Sequence, residues 1–383
     1  ENKLDKCETS SPSASGEVLK KAFRRWPTWM WANKETESFI DWLKLYNEES
    51  GRKVRFYGLD LYSLFESMDV VISELERLDP ELAEKAKAQY ACFHQSNRDE
   101  QEYMNLLSEC PEGCKAEVIR VLQEIRKKRF RVKSEEEEEV VRDIKQNAKV
   151  AVDAEKYYRT VMFGSGSESW NVRDRHMMET LELLVQHTPD KGRAIVWAHN
   201  THIGDYRYTS MEKQGSVNIG GLARLRYGEE EVALVGFGTY KGSVVASNKW
   251  TGPVQKLRVP EAKPDSFEDI LHKAAGHLQQ FYLLFGPPKG KKAKVNNNNN
   301  NNNNGDNVVA DAVDSKNTSP SVLLEWRGNR AIGVVYEPLT ERWGNYVPTC
   351  LARRYDAFVF FDSSQALLPL SDEYDIHEVP EAW

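Results

Sequence analysis

The chain has 383 residues, of which 40% are hydrophobic and 29% are charged, and its net charge is −7. This length can bury a sizeable core in one large domain or two. The acidic balance argues against nucleic acid or an anionic membrane surface as the main partner. No apolar run approaches the roughly 20 residues that a membrane-spanning helix needs. We therefore expect a globular protein that acts on neither nucleic acid nor membranes.

The five cysteines are Cys7, Cys92, Cys110, Cys114 and Cys350. An odd, sparse set in a chain this long does not predict a disulfide framework. Cys110 and Cys114 are spaced for a small bridge or half of a zinc site, but no second Cys or His pair of matching spacing lies nearby. The start of the chain has no signal-peptide pattern. These features favour structural or incidental cysteines and a cytoplasmic location.

Helical periodicity predominates in the first half of the chain. Residues 1–16 are polar and are predicted to form a flexible lead-in. The run Glu135 to Glu139 follows Ser134 and is predicted to be the solvated start of a helix, where the helix dipole favours acidic side chains. Residues 97–165 are predicted to be almost wholly helical. The other predicted helices span residues 35–49, 63–78, 80–93, 170–187, 218–227 and 266–275.

Short apolar runs between these helices predict strands. They span residues 54–60, 194–198, 232–240, 281–285, 331–336 and 357–362. Near-continuous apolar strands that alternate with helices are typical of a sheet covered on both faces. The predicted fold class is therefore α/β, with a mostly parallel sheet flanked by helices and a large helical insertion at about 97–165.

One α/β domain is predicted over 17–285, and its C-terminal part over 319–370. Between the two lies a segment, 286–318, that contains nine consecutive asparagines from Asn296 to Asn304. Such a segment buries too little apolar surface to order itself, so a disordered low-complexity insertion is predicted there. Residues 371–383 are interpreted as a tail.

The segment AIVWAHNTHIG, residues 194–204, carries the strongest chemical signal. A predicted buried strand runs into His199 and His202, with Asn200 between them. Ligands of open α/β sheets bind just beyond the carboxyl ends of strands. Two imidazoles at that point can shuttle protons or bind a metal near neutral pH. The alternative is a pair of hydrogen-bonded loop histidines.

Arg173 is a second candidate site residue. It continues the helical face of Met177, Leu181 and Leu184, so its guanidinium is expected to point inward. A buried charge needs a partner. The partner is either a carboxylate, such as that of the adjacent Asp174 or that of Asp60, or an anionic ligand. A structural ion pair and a site residue remain equal alternatives.

The aromatic cluster of Trp26, Trp29 and Trp31 is followed by Asn33 and Glu35. These rings are expected either to anchor the next helix in the core or to line a pocket for an apolar substrate. The chain has no Walker P-loop, no G-x-G-x-x-G after a first strand, no G-x-S-x-G elbow and no H-E-x-x-H. We therefore expect no cofactor and no bound metal.

Eight segments, in the same order, resemble the erythromycin esterase family, which includes homologues labelled succinoglycan biosynthesis proteins. They include FRRWPTWMWANKE, VRFYGLDLYS, WNVRDRHMMETL, IVWAHNTHIGD and VVYEPLTERWGNYVPT, and cover about residues 17–285 and 320–370. The resemblance implies an α/β core with a helical insertion, and hydrolysis by water that an essential histidine activates. His199 and His202 match the later active-site histidines in the family's W-A-H-N-x-H motif. The family's G-E-x-x-H-G motif, which carries the essential histidine and a glutamate, has no counterpart here, so the chain is expected to lack the N-terminal catalytic segment. The resemblance implies that the histidine of that segment is the general base, and that His199 and His202 position water or stabilise the developing oxyanion.

The resemblance implies a carboxylic ester hydrolase that acts on a small ester or lactone, or an inactive relative if the missing segment is essential. Catalytic roles are expected for His199 and His202, and substrate-binding roles for Asp60, Arg173, Asn200 and Trp31. Two alternatives remain: a metal-dependent hydrolase that binds zinc through the two histidines, and a non-catalytic protein that binds a small molecule. The oligomeric state is not predicted.

Overall fold

The computed structural model describes residues 14–51, 53–188, 192–285 and 321–371. The chain divides into two compact units: unit 1 contains Glu1–Val54 and Val196–Tyr374, and unit 2 contains Arg55–Ile195 and Asp375–Trp383. The predicted asparagine-rich insertion and nearly all of the predicted tail lie outside the described residues. None of the described helices combines the length and apolar character needed to cross a membrane.

Helices account for most of the described structure. The helices are α1 (Ala14–Ala22), α2 (Lys34–Ser50), α3 (Leu64–Leu78), α4 (Pro80–Tyr90), α5 (Glu100–Glu109), α6 (Lys115–Lys127), α7 (Glu135–Phe163), α8 (Gly166–Gln186), α9 (Asn200–Ile203), α10 (Ile219–Tyr227), α11 (Phe267–Ala275), α12 (Glu341–Gly344) and α13 (Leu351–Arg354). The strands are β1 (Val235–Ala246), β2 (Gln255–Val259), β3 (Gln280–Leu284), β4 (Trp326–Arg330), β5 (Tyr346–Cys350) and β6 (Ala357–Ser364).

The helices that hydrophobic periodicity predicts are confirmed, and several of them begin at a capping residue. Ser134 accepts a hydrogen bond from the amide of Glu137 and begins α7, so the acidic run forms a helix start as expected. Asp79 caps α4, whose first residue is Pro80. The predicted lead-in ends earlier than residue 16, since α1 already begins at Ala14.

Unit 2 is helical, and its core lies between α3 and the helices from α4 to α7. Leu64, Val71 and Leu75 of α3 share one buried cluster with Ile144 and Ala151 of α7. Spacings of three, four and seven residues place these side chains on one face of each helix. Burying that face stabilises the unit, because each fully buried aliphatic side chain contributes about 1.5–3 kcal/mol.

One disulfide lies in this helical core, between Cys92 and Cys114. The sequence did not predict it, because a separation of 22 positions between the two cysteines matches no recognisable spacing. Cys110, which was considered as a partner of Cys114, is a free and exposed thiol. Cys350 is also free, but buried.

Unit 1 contains a four-stranded sheet in the order β2-β1-β6-β3. Strands β1 and β6 are parallel, whereas β2 pairs antiparallel with β1 and β3 pairs antiparallel with β6. Strands β4 and β5 form a separate antiparallel pair. The described sheet is therefore mixed rather than mostly parallel. The mixed α/β character is as predicted, but strand direction depends on connections that apolar runs do not encode.

The centre of this sheet is packed by aromatic side chains. Phe358 and Phe360 of β6 are buried with Phe267 of α11 and Tyr355. Gly238 of β1 makes room for this packing, because a Cβ atom there would lie 2.7 Å from Cζ of Phe358. The Gly-Phe-Gly triplet of β1 thus has a packing role.

Two predicted strands, at 54–60 and 194–198, are wrong as assigned. Both segments have no regular secondary structure and pair with no strand in the described part of the chain. Their apolar side chains are largely uncovered: Ile195 is 97% exposed and Trp197 is 58% exposed. An apolar run becomes a buried strand only if a neighbouring strand and a covering layer exist. The predicted strand at 331–336 contributes only an isolated bridge between Ser247 and Val335.

Candidate functional site

The two candidate histidines lie on one short turn in unit 1. His199 is the N-cap of α9, and His202 lies in that helix's single turn. Amides of His202 and Ile203 both donate to the carbonyl oxygen of His199, at 2.9 Å and 3.1 Å. The spacing H-N-T-H therefore places both histidines on the same helical turn, whereas the sequence motif predicted only that they follow an apolar segment.

The ring of His199 is held by its neighbours. Nδ1 lies 2.8 Å from the hydroxyl oxygen of Thr201 and accepts a hydrogen bond from the Thr201 amide at 3.3 Å. The backbone of Ile332 makes a further hydrogen bond with the ring. With Nδ1 accepting, the ring proton is assigned to Nε2, so this imidazole acts on its surroundings as an N–H donor.

His199 is held in its neutral form. Its pKa is lowered to about 4, first by desolvation in the surrounding protein and then by the nearby His202 and Arg354, while the hydrogen bond with the backbone of Ile332 opposes the shift. The residue is nevertheless exposed by its accessible surface. Contact with solvent opposes part of the desolvation, whereas His202 and Arg354 act on the pKa in the same direction as the desolvation.

We expect the ring of His199 to remain neutral at pH 5.5 in the folded protein. The lowered pKa means that the unfolded chain, with a histidine pKa near 6.5, takes up a proton first. Stability from this difference is therefore fully present above about pH 6.5 and is lost as the pH falls toward the folded pKa. Proton–nitrogen NMR of the histidine rings measures this directly, and His199→Gln identifies the signal. A titration midpoint of His199 at or above that of an unfolded chain would contradict the expectation.

Asn200 binds β1 at Phe237, outside the stretch of β1 that pairs with β2. Its side-chain amide donates to the carbonyl of Phe237 at 2.5 Å and accepts from the amide of Phe237 at 3.1 Å. This reciprocal pair imitates the hydrogen bonds of a neighbouring strand, and so occupies part of the open edge of β1. Asn200 thereby joins the histidine turn to the sheet.

Asn218 supports the same turn from α10. It is fully buried, and its side-chain amide donates to the carbonyls of Thr201 at 2.7 Å and Gly204 at 2.5 Å. Its Oδ1 atom caps α10 by accepting from the amide of Gly221. One side chain thus binds two carbonyls of the turn, and fixes α10 relative to it.

A buried ion cluster follows the turn directly. Asp205 is fully buried and accepts hydrogen bonds from the guanidinium groups of Arg207 and Arg224. Arg224 also donates to Asp356 at 2.7 Å and to the carbonyl of Arg353 at 3.1 Å. The cluster connects the turn, α10 and the segment before β6.

Arg173 and Asp60 form an ion pair in unit 2, as one of the two sequence interpretations predicted. Nε and Nη2 of Arg173 contact both carboxylate oxygens of Asp60 at 2.7–3.1 Å. The guanidinium also lies over the ring of Tyr62, with 4.8 Å between Cζ and the ring centroid. The fork geometry makes this a directional, charge-assisted contact.

The aromatic cluster divides between core and surface. Trp26 and Trp29 are buried together in unit 1, which confirms the core interpretation for these two rings. Trp31 is only partly buried and packs edge-on against Trp197, with 5.3 Å between centroids. Trp31 therefore contacts the segment that leads into His199, two residues further on.

In the described part of the chain, no group of three or more His, Cys, Asp or Glu side chains is placed to hold a metal ion. Two grooves, of about 360 Å³ and 470 Å³, lie along α6 in unit 2 and are lined by no histidine. The histidine turn is therefore identified by its chemistry and not by a deep cavity.

The sequence did not predict the residues that hold the turn in place. Arg354, Asn218 and Arg224 are distant in sequence from His199, and nothing in their local pattern relates them to it. One available signal was Asn218 before Ile219-Gly220-Gly221, which is a typical helix cap. Asp205 stands in the same H-I-G-D segment as His202, but its charge is matched by Arg224 of α10 as well as by the nearby Arg207.

The model of the erythromycin esterase family matches residues 3–364. The match covers nearly the whole chain, and the chain therefore belongs to the erythromycin esterase family. This confirms the family resemblance found in the sequence. Membership indicates a hydrolase-like function with a small-molecule substrate.

Three solved structures are similar to this chain in fold. A succinoglycan biosynthesis protein has a TM-score of 0.66 at 18% identity, over 93% of this chain and 79% of that chain. A protein from Bacillus cereus has a TM-score of 0.65 at 17% identity, over 93% and 80%. A mutant of the erythromycin esterase EreC in its open conformation has a TM-score of 0.59 at 14% identity, over 95% and 82%. At these identities the similarity shows the shared fold alone.

Proposed function

We propose that the chain is an ester or lactone hydrolase whose reacting groups include the imidazoles of His199 and His202. The observation that carries this proposal is the turn itself. Two imidazoles lie three residues apart on one helical turn, and the first is neutral with its Nδ1 atom bound by Thr201. Family membership supports the reaction class.

The occupied Nδ1 atom assigns His199 a donor role. Its Nε2–H exchanges the hydrogen bond with Ile332 for one to the substrate carbonyl oxygen, and stabilises the negative charge that develops there. A neutral imidazole suits this arrangement, because its Nδ1 atom accepts from the amide of Thr201 while its Nε2–H remains a donor. Preorganisation by Thr201 means that little rearrangement accompanies the reaction.

The attacking water needs a base, and His202 is the candidate within this turn. Its imidazole takes one proton from water as the hydroxide oxygen bonds to the carbonyl carbon. When the tetrahedral intermediate collapses, the ester C–O bond breaks and the imidazolium returns the proton to the leaving alkoxide. The products are a carboxylic acid and an alcohol, and no step uses a metal.

Asn200 and Trp31 act in this proposal by shaping the site. Asn200 fixes the turn against β1, and Trp31 packs on the segment before His199. Substrate contacts of these two residues, and of the Asp60–Arg173 pair in unit 2, remain predictions from the sequence. The mechanism assigns them no chemical step.

Hydrolysis in ¹⁸O-labelled water tests the proposed reaction. We expect turnover of at least one member of a panel of aryl esters and macrolactones, with one ¹⁸O atom in the carboxylate product and none in the alcohol. Acyl–oxygen cleavage by water requires that distribution. Binding of panel compounds without any turnover would instead support a non-catalytic binding protein. Turnover that disappears with a chelator and returns with zinc would support the metal-dependent alternative.

A further inference from the structure

Arg354 lies beneath the histidine turn and is almost completely buried, with 1% of its surface exposed. It is the last residue of α13, far from His199 in sequence. A buried guanidinium is costly unless its hydrogen bonds and its charge are matched. The hydrogen-bond partners of Arg354 therefore indicate its role in the structure.

Arg354 contacts both ends of the turn. Its Nη2 atom donates to the carbonyl of Asn200 at 2.8 Å, and its own carbonyl accepts from the amide of Asp205 at 3.1 Å. Between these contacts, Gly204 lies so close that a Cβ atom there would be 2.4 Å from Nε of Arg354. Both ends of the turn from Asn200 to Asp205 are therefore hydrogen-bonded to the same residue, Arg354.

The guanidinium is itself fixed on its other side. Its Nη1 atom donates to Oδ1 of Asn329 at 3.1 Å and to the hydroxyl of Thr349 at 3.0 Å. The amide of Asn329 in turn donates to Oε1 of the fully buried Glu268 at 2.7 Å. Asn329 therefore bridges the guanidinium and the side chain of Glu268; burial raises the pKa of Glu268 and lowers that of Arg354.

We infer that Arg354 is the positioning residue of the proposed active site, holding the His199–Asp205 turn in the geometry that aims the two imidazoles. This inference rests on the proposed function for its catalytic consequence, but the positioning itself can be measured without any substrate. The residue acts through the turn and touches no reacting atom in the proposed mechanism.

Two effects are expected from this role. A turn that loses one anchor opens more often, because its backbone amides are then protected by fewer tertiary contacts. A misplacement of catalytic groups by about 1 Å can lower a rate about 100-fold. The loss should appear in kcat more than in KM, since Arg354 does not bind the substrate.

The test compares Arg354→Gln with Arg330→Gln as a matched control. Arg330 is also buried and also donates to backbone carbonyls, but those belong to Thr239, Tyr240 and Pro260. Hydrogen–deuterium exchange of residues 200–205 is measured in both variants. We expect exchange to be at least about 10-fold faster in Arg354→Gln, on the scale of one lost charge-assisted hydrogen bond. In Arg330→Gln, the exchange rate of residues 200–205 should rise no more than the exchange rate of the β6 amides.

Thr349→Val and Arg354→Lys keep the inference testable if Arg354→Gln does not fold. Thr349→Val removes one acceptor of Arg354 at nearly constant volume and should give a smaller increase in exchange at the same residues. Arg354→Lys should recover part of the protection, since it retains a donor and the charge. Equal effects of Arg354→Gln and Arg330→Gln on the turn would overturn the inference, as would unchanged exchange in both Arg354→Gln and Thr349→Val.

Kinetics separate this inference from the proposed function. If esters are turned over, kcat of Arg354→Gln should fall about 10-fold to 100-fold with little change in KM. An unchanged kcat beside faster exchange would overturn the catalytic part of the inference. If no ester is turned over, the proposed function fails, while the exchange experiment still decides whether Arg354 holds the turn.

Discussion

Replacing His199 with alanine should lower the kcat of ester hydrolysis by at least about 100-fold, which is the scale for losing one preorganised donor to an oxyanion. The expectation follows from the geometry of the turn. Thr201 occupies Nδ1, and the neutral ring presents its Nε2–H. Alanine removes that donor and leaves the hydroxyl of Thr201 without the ring it contacts. The measurement is steady-state hydrolysis of the best panel substrate.

His187→Ala is the matched control for this experiment. His187 is an exposed C-cap at the end of α8 in unit 2, and its Nδ1 atom lies 2.7 Å from the carbonyl of Leu183. Its loss removes an imidazole without touching the candidate turn, so activity should stay close to that of the unaltered protein. His199→Gln should be less damaging than His199→Ala, because its amide retains an N–H donor. Unchanged turnover in His199→Ala would remove this residue from the mechanism.

Replacing Asp205 with alanine should lower the free energy of unfolding of unit 1 by about 3 kcal/mol, the scale for removing one partner of a buried ion pair. Asp205 is fully buried and binds Arg207 and Arg224 at 2.7–3.2 Å. After its removal, the buried guanidinium of Arg224 keeps its ion pair with Asp356. That contact and solvent access to Arg207 place the expected loss at the lower end of the range for broken buried pairs.

Urea denaturation followed by tryptophan fluorescence measures this loss, because most of the described tryptophans lie in unit 1. Glu261→Gln is the control from the same unit. Glu261 contacts Lys241 in an ion pair whose two side chains are 60% and 44% exposed. Exposed pairs contribute about 0–1 kcal/mol, so its transition should hardly move. Equal midpoints for Asp205→Ala and the unaltered protein would show that the cluster adds nothing to stability.

The prediction of the helices succeeded where the information is local. Ser134 before five glutamates, Asp79 before Pro80 and Asn218 before a glycine pair all begin helices, because capping satisfies amides within three residues. The prediction of the strands was less successful, as the segment with Ile195 and Trp197 shows. This segment is apolar, but a strand also needs pairing and burial, which other parts of a fold supply.

The candidate site shows the same division. His199 and His202 could be selected from the sequence, because one short motif carries both and a helical turn brings residues three apart together. The contact between Arg173 and Asp60 was foreseen as one of two options, since an inward-facing cation demands an anion. Arg354 could not be selected, because no local pattern records that its guanidinium would reach Asn200.

The sequence by itself determined the family, the helices, the histidine pair and the need of Arg173 for a negative partner, since each depends on neighbouring residues or on a motif. Only the tertiary structure decided the mixed direction of the strands, the neutral state of His199, and the enclosure of the turn by Asn218 and Arg354. Those properties arise from contacts between segments far apart in the chain. Their free energies depend on distance and burial, which become defined only when the chain is folded.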